Sequence, residues 1–312
     1  AANPQPSQIK NLERAAARLS NATGPAAARS HPSTPRSALP TQRVGGRPPG
    51  HDDMVGRARE WDDAVSSVTA ALAARRSAAV VLSGEPGIGK STLARAVLSA
   101  IAGGQPAPRV VRLACDPRRT LPYAPLAPLV AGSGDGALAE VLSGGAAALD
   151  DAGQIQASLL DRVHSMAESS GLVLHVEDLH WAPGETVAAL AAVLAGAVDL
   201  PVVLLATTRE GVIPDGLAPH VSRHLRLRGL GVQSVAELIG ADPGAAQAVQ
   251  MHRLTGGNPL YLRQMRQSGA ARPDRPPEDV EAAIGAHLRI IPQDVHAALE
   301  VAAVVGDQFG VA

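Results

Sequence analysis

A chain of 312 residues that is 46% hydrophobic can bury the core of one large domain or two small ones. Aromatic residues make up only 2%, so the core is built from Ala, Val and Leu, which argues against an aromatic platform for stacking single-stranded nucleic acid. The net charge of -1 speaks against nucleic-acid binding along the whole length, and a single Cys excludes an intrachain disulfide framework and a multi-Cys zinc site, in keeping with a reducing, cytoplasmic setting.

Charge is uneven along the chain. Residues 1–50 carry seven Lys or Arg against one Glu, a local charge of +6, and eight of the 25 prolines. They read as a disordered, basic, Pro-rich tail with one short helical stretch at Ile9 to Leu19. The remaining residues carry -7. The first ten residues hold Pro4, Pro6 and Lys10 and no apolar run, so no secretory signal is read there. Order is expected from about Asp52. Trp61, Val65, Val68 and Leu72 share a helical stripe. Ala78 to Ser83 is a short apolar strand, and Leu93, Val97, Leu98 and Ile101 mark a helix ended by Gly103 and Gly104. Val110 to Ala114 is a second strand, followed by a Pro-rich loop from Pro117 to Pro128 and a Gly- and Ala-rich stretch with a weak helix over 132–152. Ile155, Leu159, Val163 and Met166 mark another helix, and Leu172 to Val176 a third strand. Val187 to Thr208 could imitate a membrane span, but Asp199 and Pro201 divide it into an Ala-rich helix and a buried strand, Val202 to Ala206. A fifth strand is expected at His224 to Leu230. Beyond Val232 the pattern turns helical, with helices at Val235–Ile239, Ala245–Leu254, Leu260–Gln267, Val280–Ile290 and Asp294–Val305. Strands alternating with helices predict an α/β fold around a parallel five-stranded sheet, followed by an α-helical subdomain.

The chemistry concentrates in one segment. Gly84-Glu85-Pro86-Gly87-Ile88-Gly89-Lys90-Ser91 satisfies G-x-x-x-x-G-K-[ST] after a strand and at the opening of a helix, the setting this loop requires. Its glycines let backbone N–H groups turn toward phosphate oxygens, and the helix N-terminus adds partial positive charge. Lys90 is expected on the β- and γ-phosphates, the Ser91 hydroxyl on Mg²⁺, and Thr92 follows inside the nucleotide site. The third strand ends in Glu177 and Asp178. Glu177 is expected to serve the metal, through water, and Asp178 to orient or deprotonate the attacking water, with the reverse assignment left open. The strand at Val202 is expected beside the phosphate-loop strand, so Thr208 and Arg209 would face the γ-phosphate. Cys115 reads as a buried thiol at a strand end. His220 and His224 lack a third ligand, so metal binding there is not expected. His180 and Trp181 are expected to pack beneath the acidic pair.

These motifs, in this order, resemble the nucleotide-binding module of STAND-type signalling ATPases, and within them the large ATP-dependent LuxR-family transcriptional regulators with their origin-recognition-like AAA module. Met54-Val55-Gly56-Arg57 resembles the opening box of that family, which implies that Val55, Gly56 and Arg57 lie near adenine. Leu121-Pro122-Tyr123-Ala124-Pro125-Leu126 is similar to the loop after the second strand, and Glu177-Asp178-Leu179-His180-Trp181-Ala182 to the extended acidic box, although relatives begin that box with Asp. Leu254-Thr255-Gly256-Gly257-Asn258-Pro259-Leu260 resembles the Gly-x-Pro motif of the helical subdomain, which implies that Pro259 lies against the base. Leu288 to Phe309 is similar to the entry of a winged-helix element. After the compositional tail over 1–50, the resemblance implies a P-loop NTPase core over 51–230, a helical subdomain over 231–275 and an incomplete winged helix over 276–312. It also implies ATP or ADP with Mg²⁺ as cofactors, slow hydrolysis, possible self-association through the core, no membrane, and DNA contact only through regions not in this chain, such as a repeat array and a helix-turn-helix after Ala312. A stand-alone P-loop enzyme, such as a small-molecule kinase, and a degenerate ATPase acting as an interaction module are the rival readings.

Overall fold

The structure, a computed structural model, describes residues 54–267 apart from 119–120, 132–135, 143–151 and 243. The expected helix at Ile9 to Leu19, the two helices after 280 and the winged-helix start lie outside the described residues.

Three of the five strands read as near-continuous apolar runs because a parallel sheet covered on both faces buries nearly every side chain. β1 (Ala78–Ser83) and β4 (Val202–Thr208) are buried along their whole length, and β3 (Leu172–Glu177) is buried up to its last residue. β2 (Arg109–Ala114) and β5 (Val221–Arg226) are the edges, and each leaves three positions exposed. The order is β2-β3-β4-β1-β5, with every pairing parallel. One face packs Leu172, Leu174, Leu204 and Ala206 against the helices α5 (Ala152–Ala167) and α6 (Gly184–Gly196). The other packs Val80, Leu82, Val203 and Leu205 against α1 (Ala58–Ala73) and α2 (Lys90–Ala102). This is the α/β P-loop NTPase fold. Among the described residues, no helix is long and apolar enough to cross a membrane.

Two short helices break the expected Pro-rich loop. A 3₁₀ turn over Ala124–Leu126 runs into α3 (Ala127–Val130), and α4 (Gly136–Leu142) follows. Pro125 and Pro128 sit in first turns, where a missing N–H costs nothing, so these prolines start helices here and do not prevent them. The fifth strand begins three residues earlier than expected. Leu225, Leu227 and Leu230 drew the expectation toward the C-terminus, yet an edge strand needs few apolar residues. Val221–Arg226 pairs with β1 through polar positions, and Leu227 donates one more bond to the Ser83 carbonyl at 2.8 Å before the chain leaves the sheet.

Three more helices, α7 (Val232–Ile239), α8 (Ala246–Thr255) and α9 (Pro259–Gln267), surround a small core of Leu230, Val235, Ala236, Ala248 and Leu262. Along the sheet, the chain crosses from β1 to β2 at one edge, returns through β3 to β4 beside β1, and then places β5 on the other side of β1. The crevice at the carboxyl end of β1 therefore lies at the switch point where ligands bind in open α/β sheets.

One buried polar residue makes acid stability a test of this core. His175, in the middle of β3, is wholly buried and neither ring nitrogen has a hydrogen-bond partner. Burial, and then the charges of Arg112 and Arg95, push its imidazole down to about 4. The unfolded chain takes up this proton near pH 6.5, whereas the folded chain resists it down to about 4. Stability from this group is present above pH 6.5 and is lost as pH falls toward 4, by roughly 3 kcal/mol. Urea denaturation from pH 7 to pH 4.5 should show this loss, and His175→Leu should flatten it.

Candidate nucleotide-binding site

Because β1 ends in the sheet centre, the loop from Gly84 to Gly89 hangs over the crevice between β1, β4 and the end of β3. Gly89 adopts φ +106°, and a Cβ placed there would meet nothing within 4 Å, so the loop curves around open space before Lys90 begins α2. Lys90 is buried, and its Nζ donates to the carbonyls of Gly84 and Glu85 at 2.9 Å each. Burial lowers its pKa; Asp178 opposes that shift, and Arg209 adds to it.

The acidic end of β3 is shaped by one backbone feature. Asp178 adopts the left-handed conformation, φ +53°, which Asp tolerates better than most residues. Its N–H donates to Thr207 Oγ1 at 3.0 Å. The turn interrupts the alternation of β3, and Asp178 lines the cavity while Glu177 does not. The Glu177 carbonyl accepts from the Cys115 N–H at 3.0 Å. Cys115 is a buried thiol, and burial raises it to about 11.

Arg209 follows β4 and stands over the Trp181 ring, 5.6 Å from its centroid, while His180 packs beside that ring at 4.9 Å. His180 feels Asp178, Arg209 and Lys90, so these four groups form one electrostatic cluster, although Arg209 stays off the cavity wall. The Thr208 hydroxyl is tied to the Val212 carbonyl at 2.8 Å, so β4 reaches the acidic box through Thr207. His224 lies 2.7 Å from Ser83 Oγ and links β5 to the end of β1.

The cavity is about 450 Å³, within the range that holds a drug-sized or nucleotide-sized ligand. It is lined by the phosphate loop, Lys90, Ser91, Thr92 and Asp178 and by an apolar wall of Met54, Val55, Leu230, Leu238 and Pro259. Of the residues expected from sequence, Val55, Arg57, Pro86 to Thr92, Asp178 and Pro259 line it; Gly56, Gly84, Glu85, Glu177 and Arg209 do not. Gly56 is a packing glycine, since a Cβ there would fall 2.3 Å from the Ser234 hydroxyl. The buried Arg57 guanidinium donates to Glu60 at 3.0 Å, to the Ile88 carbonyl at 3.3 Å and to the Arg228 carbonyl. It therefore clamps the phosphate loop to the segment after β5. Sequence reasoning missed Met54, Leu230, Leu238, Leu260 and Arg263 on the wall. Arg263 was within reach, because it lies four residues after Pro259 and shares its helix face.

Residues 54–205, just under half of the chain, match the AAA ATPase domain family. That match, the fold and the loop geometry together support an AAA-type nucleotide-binding module over this segment. No curated protein matches the chain. Among solved structures it is similar to Aeropyrum pernix ORC1 in complex with DNA, with 17% identity and a TM-score of 0.49, covering 77% of this chain and 69% of that one. It is similar to a Pyrococcus horikoshii Signal Transduction ATPase with Numerous Domains protein that carries a tetratricopeptide repeat sensor, at 22% identity and a TM-score of 0.41, over 68% of this chain and 30% of that one. It is also similar to C. elegans PCH-2, at 11% identity and a TM-score of 0.38, over 64% of this chain and 48% of that one. The chain thus spans less than half the length of these last two.

The clamp can be separated from a base contact. Arg57→Ala removes charged hydrogen bonds to the buried Ile88 carbonyl and the partly buried Arg228 carbonyl and should lower stability in the absence of nucleotide by about 2 kcal/mol. Chemical denaturation without ligand reads this directly, since a residue that only touched a base would leave that value unchanged.

Proposed function

We propose that the chain is the nucleotide-binding part of an ATP-driven switch, in which the triphosphate bridges the α/β core and the helical cluster α7–α9 and slow hydrolysis releases the bridge. The observation that carries this reading is a cavity lined both by the phosphate loop and by Pro259, Leu260 and Arg263 of the helical cluster. A ligand that fills it touches both parts and is sensitive to their spacing.

The residues fit the groups this reading requires. The glycine-built curve of the loop and the buried ammonium of Lys90 suit phosphate oxygens, and the apolar wall suits a purine. Two of the three Lys90 donor positions are taken by loop carbonyls, so one remains for a phosphate. Among the described residues no cluster of three His, Cys, Asp or Glu is present that could hold a metal. The Ser91 hydroxyl is a hard oxygen donor of the kind Mg²⁺ takes together with nucleotide oxygens and water. When bound, that ion would neutralise charge on the β- and γ-phosphates.

Asp178, the acid that faces the cavity, orients the attacking water. Glu177 lies one residue back on the strand, and the metal role first expected of it needs a side-chain path into the site. Arg209, held over Trp181 and off the cavity wall, would sense the γ-phosphate only by swinging inward. By the resemblance stated above, the switch belongs to a LuxR-type transcriptional regulator, with DNA contacted by regions not in this chain. Self-association through the core is part of the same reading.

Mg²⁺–ATP should raise the melting temperature; at a hundred times the dissociation constant a ligand adds about 2.7 kcal/mol. Lys90→Ala should abolish most of that gain, and equal shifts in both proteins would contradict the reading. Asp178→Asn should lower turnover by roughly a hundredfold, the lower range for loss of acid–base assistance, while ATP still stabilises the fold. Phosphate release and thermal shift measured on the same sample separate the two effects, and a change in Mg²⁺ dependence in Glu177→Gln would return the metal role to Glu177.

A further inference from the structure

The helical cluster does more than wall the cavity. Asn258, only 2% exposed, sits between the two parts of the site. Its Nδ2 donates to the Pro86 carbonyl at 3.0 Å, and its Oδ1 accepts from the Leu260 N–H at 3.0 Å. The amide has only one sensible orientation, because the first partner can only accept and the second can only donate. One half of the carboxamide caps helix α9 and the other holds the phosphate loop, 172 residues away in sequence.

Neighbouring contacts make this junction stiff. Leu260 packs so closely on Gly87 that a Cβ on Gly87 would come within 2.6 Å of the Leu260 Cβ. Gly87, at φ +77°, therefore has two reasons to be glycine: its backbone angle and its contact with the cluster. On the far side of the turn, the Leu230 N–H donates to the Gly257 carbonyl at 2.8 Å, and a Cβ on Gly229 would lie 1.8 Å from the Gly256 carbonyl oxygen. The turn that carries Asn258 is thus seated against the core backbone and cannot yield easily.

We propose that Asn258 is a positioning residue for phosphate binding, through which docking of the helical cluster sets the shape of the phosphate loop. The physical step is local. In a trans peptide the carbonyl and the following N–H lie in one plane and point in opposite directions. Holding the Pro86 carbonyl fixes the direction of the Gly87 N–H, one of the loop's donors. Undocking of the cluster frees that plane, and the loop must then pay the ordering cost when phosphate binds. Nucleotide affinity is thereby tied to the position of α7–α9 through a residue other than those assigned to the bound nucleotide. This inference rests on the nucleotide-binding reading above.

Asn258→Ser tests it. Serine caps a helix about as well as asparagine, so α9 keeps its first turn while the amide donor to Pro86 is lost. Hydrogen exchange is measured on the whole chain without nucleotide, comparing amides of residues 84–92 with those of α9. The variant should speed exchange of the Gly87 to Lys90 amides by about fivefold, the loss of one hydrogen bond, and leave α9 unchanged. ATP affinity, measured by calorimetry, should weaken by a similar factor. Unchanged exchange in the phosphate loop would overturn the proposal, and so would equal loosening of the loop and α9, which would mark Asn258 as a helix cap alone. Unchanged ATP affinity together with faster loop exchange would overturn the link to phosphate binding. If the wild-type chain fails to bind ATP, the nucleotide reading falls, while the exchange result still decides whether Asn258 holds the loop.

Discussion

The structure depends on how the carbonyls of the phosphate loop are held. Those of Gly84, Glu85, Pro86 and Ile88 each accept a hydrogen bond from a side chain: Lys90 takes the first two, Asn258 the third and Arg57 the fourth. A loop of glycines would otherwise sample many shapes, and glycine loses the most freedom on ordering. Tying the carbonyls from three directions selects one shape in advance of any ligand. The three donors come from the segment before α1, from the start of α2 and from the start of α9, so three separate stretches of chain converge on six residues.

The sheet supplies the remaining constraint. With β4 between β1 and β3, the acidic end of β3 is held one strand away from the phosphate loop, and Thr207 of β4 fills the gap by accepting from the Asp178 N–H. That spacing leaves room beyond the loop where phosphate and water can meet an acid. Lys90, Asp178, His180 and Arg209 then share one electrostatic neighbourhood, within which burial lowers the pKa values of Lys90 and His180. Trp181, partly exposed, gives Arg209 a cation–π rest and keeps that guanidinium near the cluster.

Much of this was legible in the sequence because burial on both faces leaves a strong signature. Ala78–Ser83 and Leu172–Glu177 announce themselves as apolar runs, and the loop motif fixes where α2 starts. The edge strand β5 was misplaced by three residues because an edge pairs through its backbone and needs little apolar character. The clamp by Arg57 and the tie by Asn258 were not legible, since their loop partners lie 31 and 172 residues away and only the fold brings them together. That Asp178 lines the cavity and Glu177 does not was also out of reach. Period-2 reasoning assumes extended backbone, and the left-handed turn at Asp178 breaks that assumption.

The central claim is that one nucleotide sits between the phosphate loop and the helical cluster, with its base on the apolar wall. Photolabelling with 8-azido-ATP tests this most directly, because the reactive group is carried on the base. The account predicts label in peptides containing Met54 and Val55, Leu230 to Leu238, or Pro259, with labelling suppressed by excess ATP and by Lys90→Ala. Label confined to other peptides, or label that neither ATP nor the Lys90 substitution reduces, would contradict it.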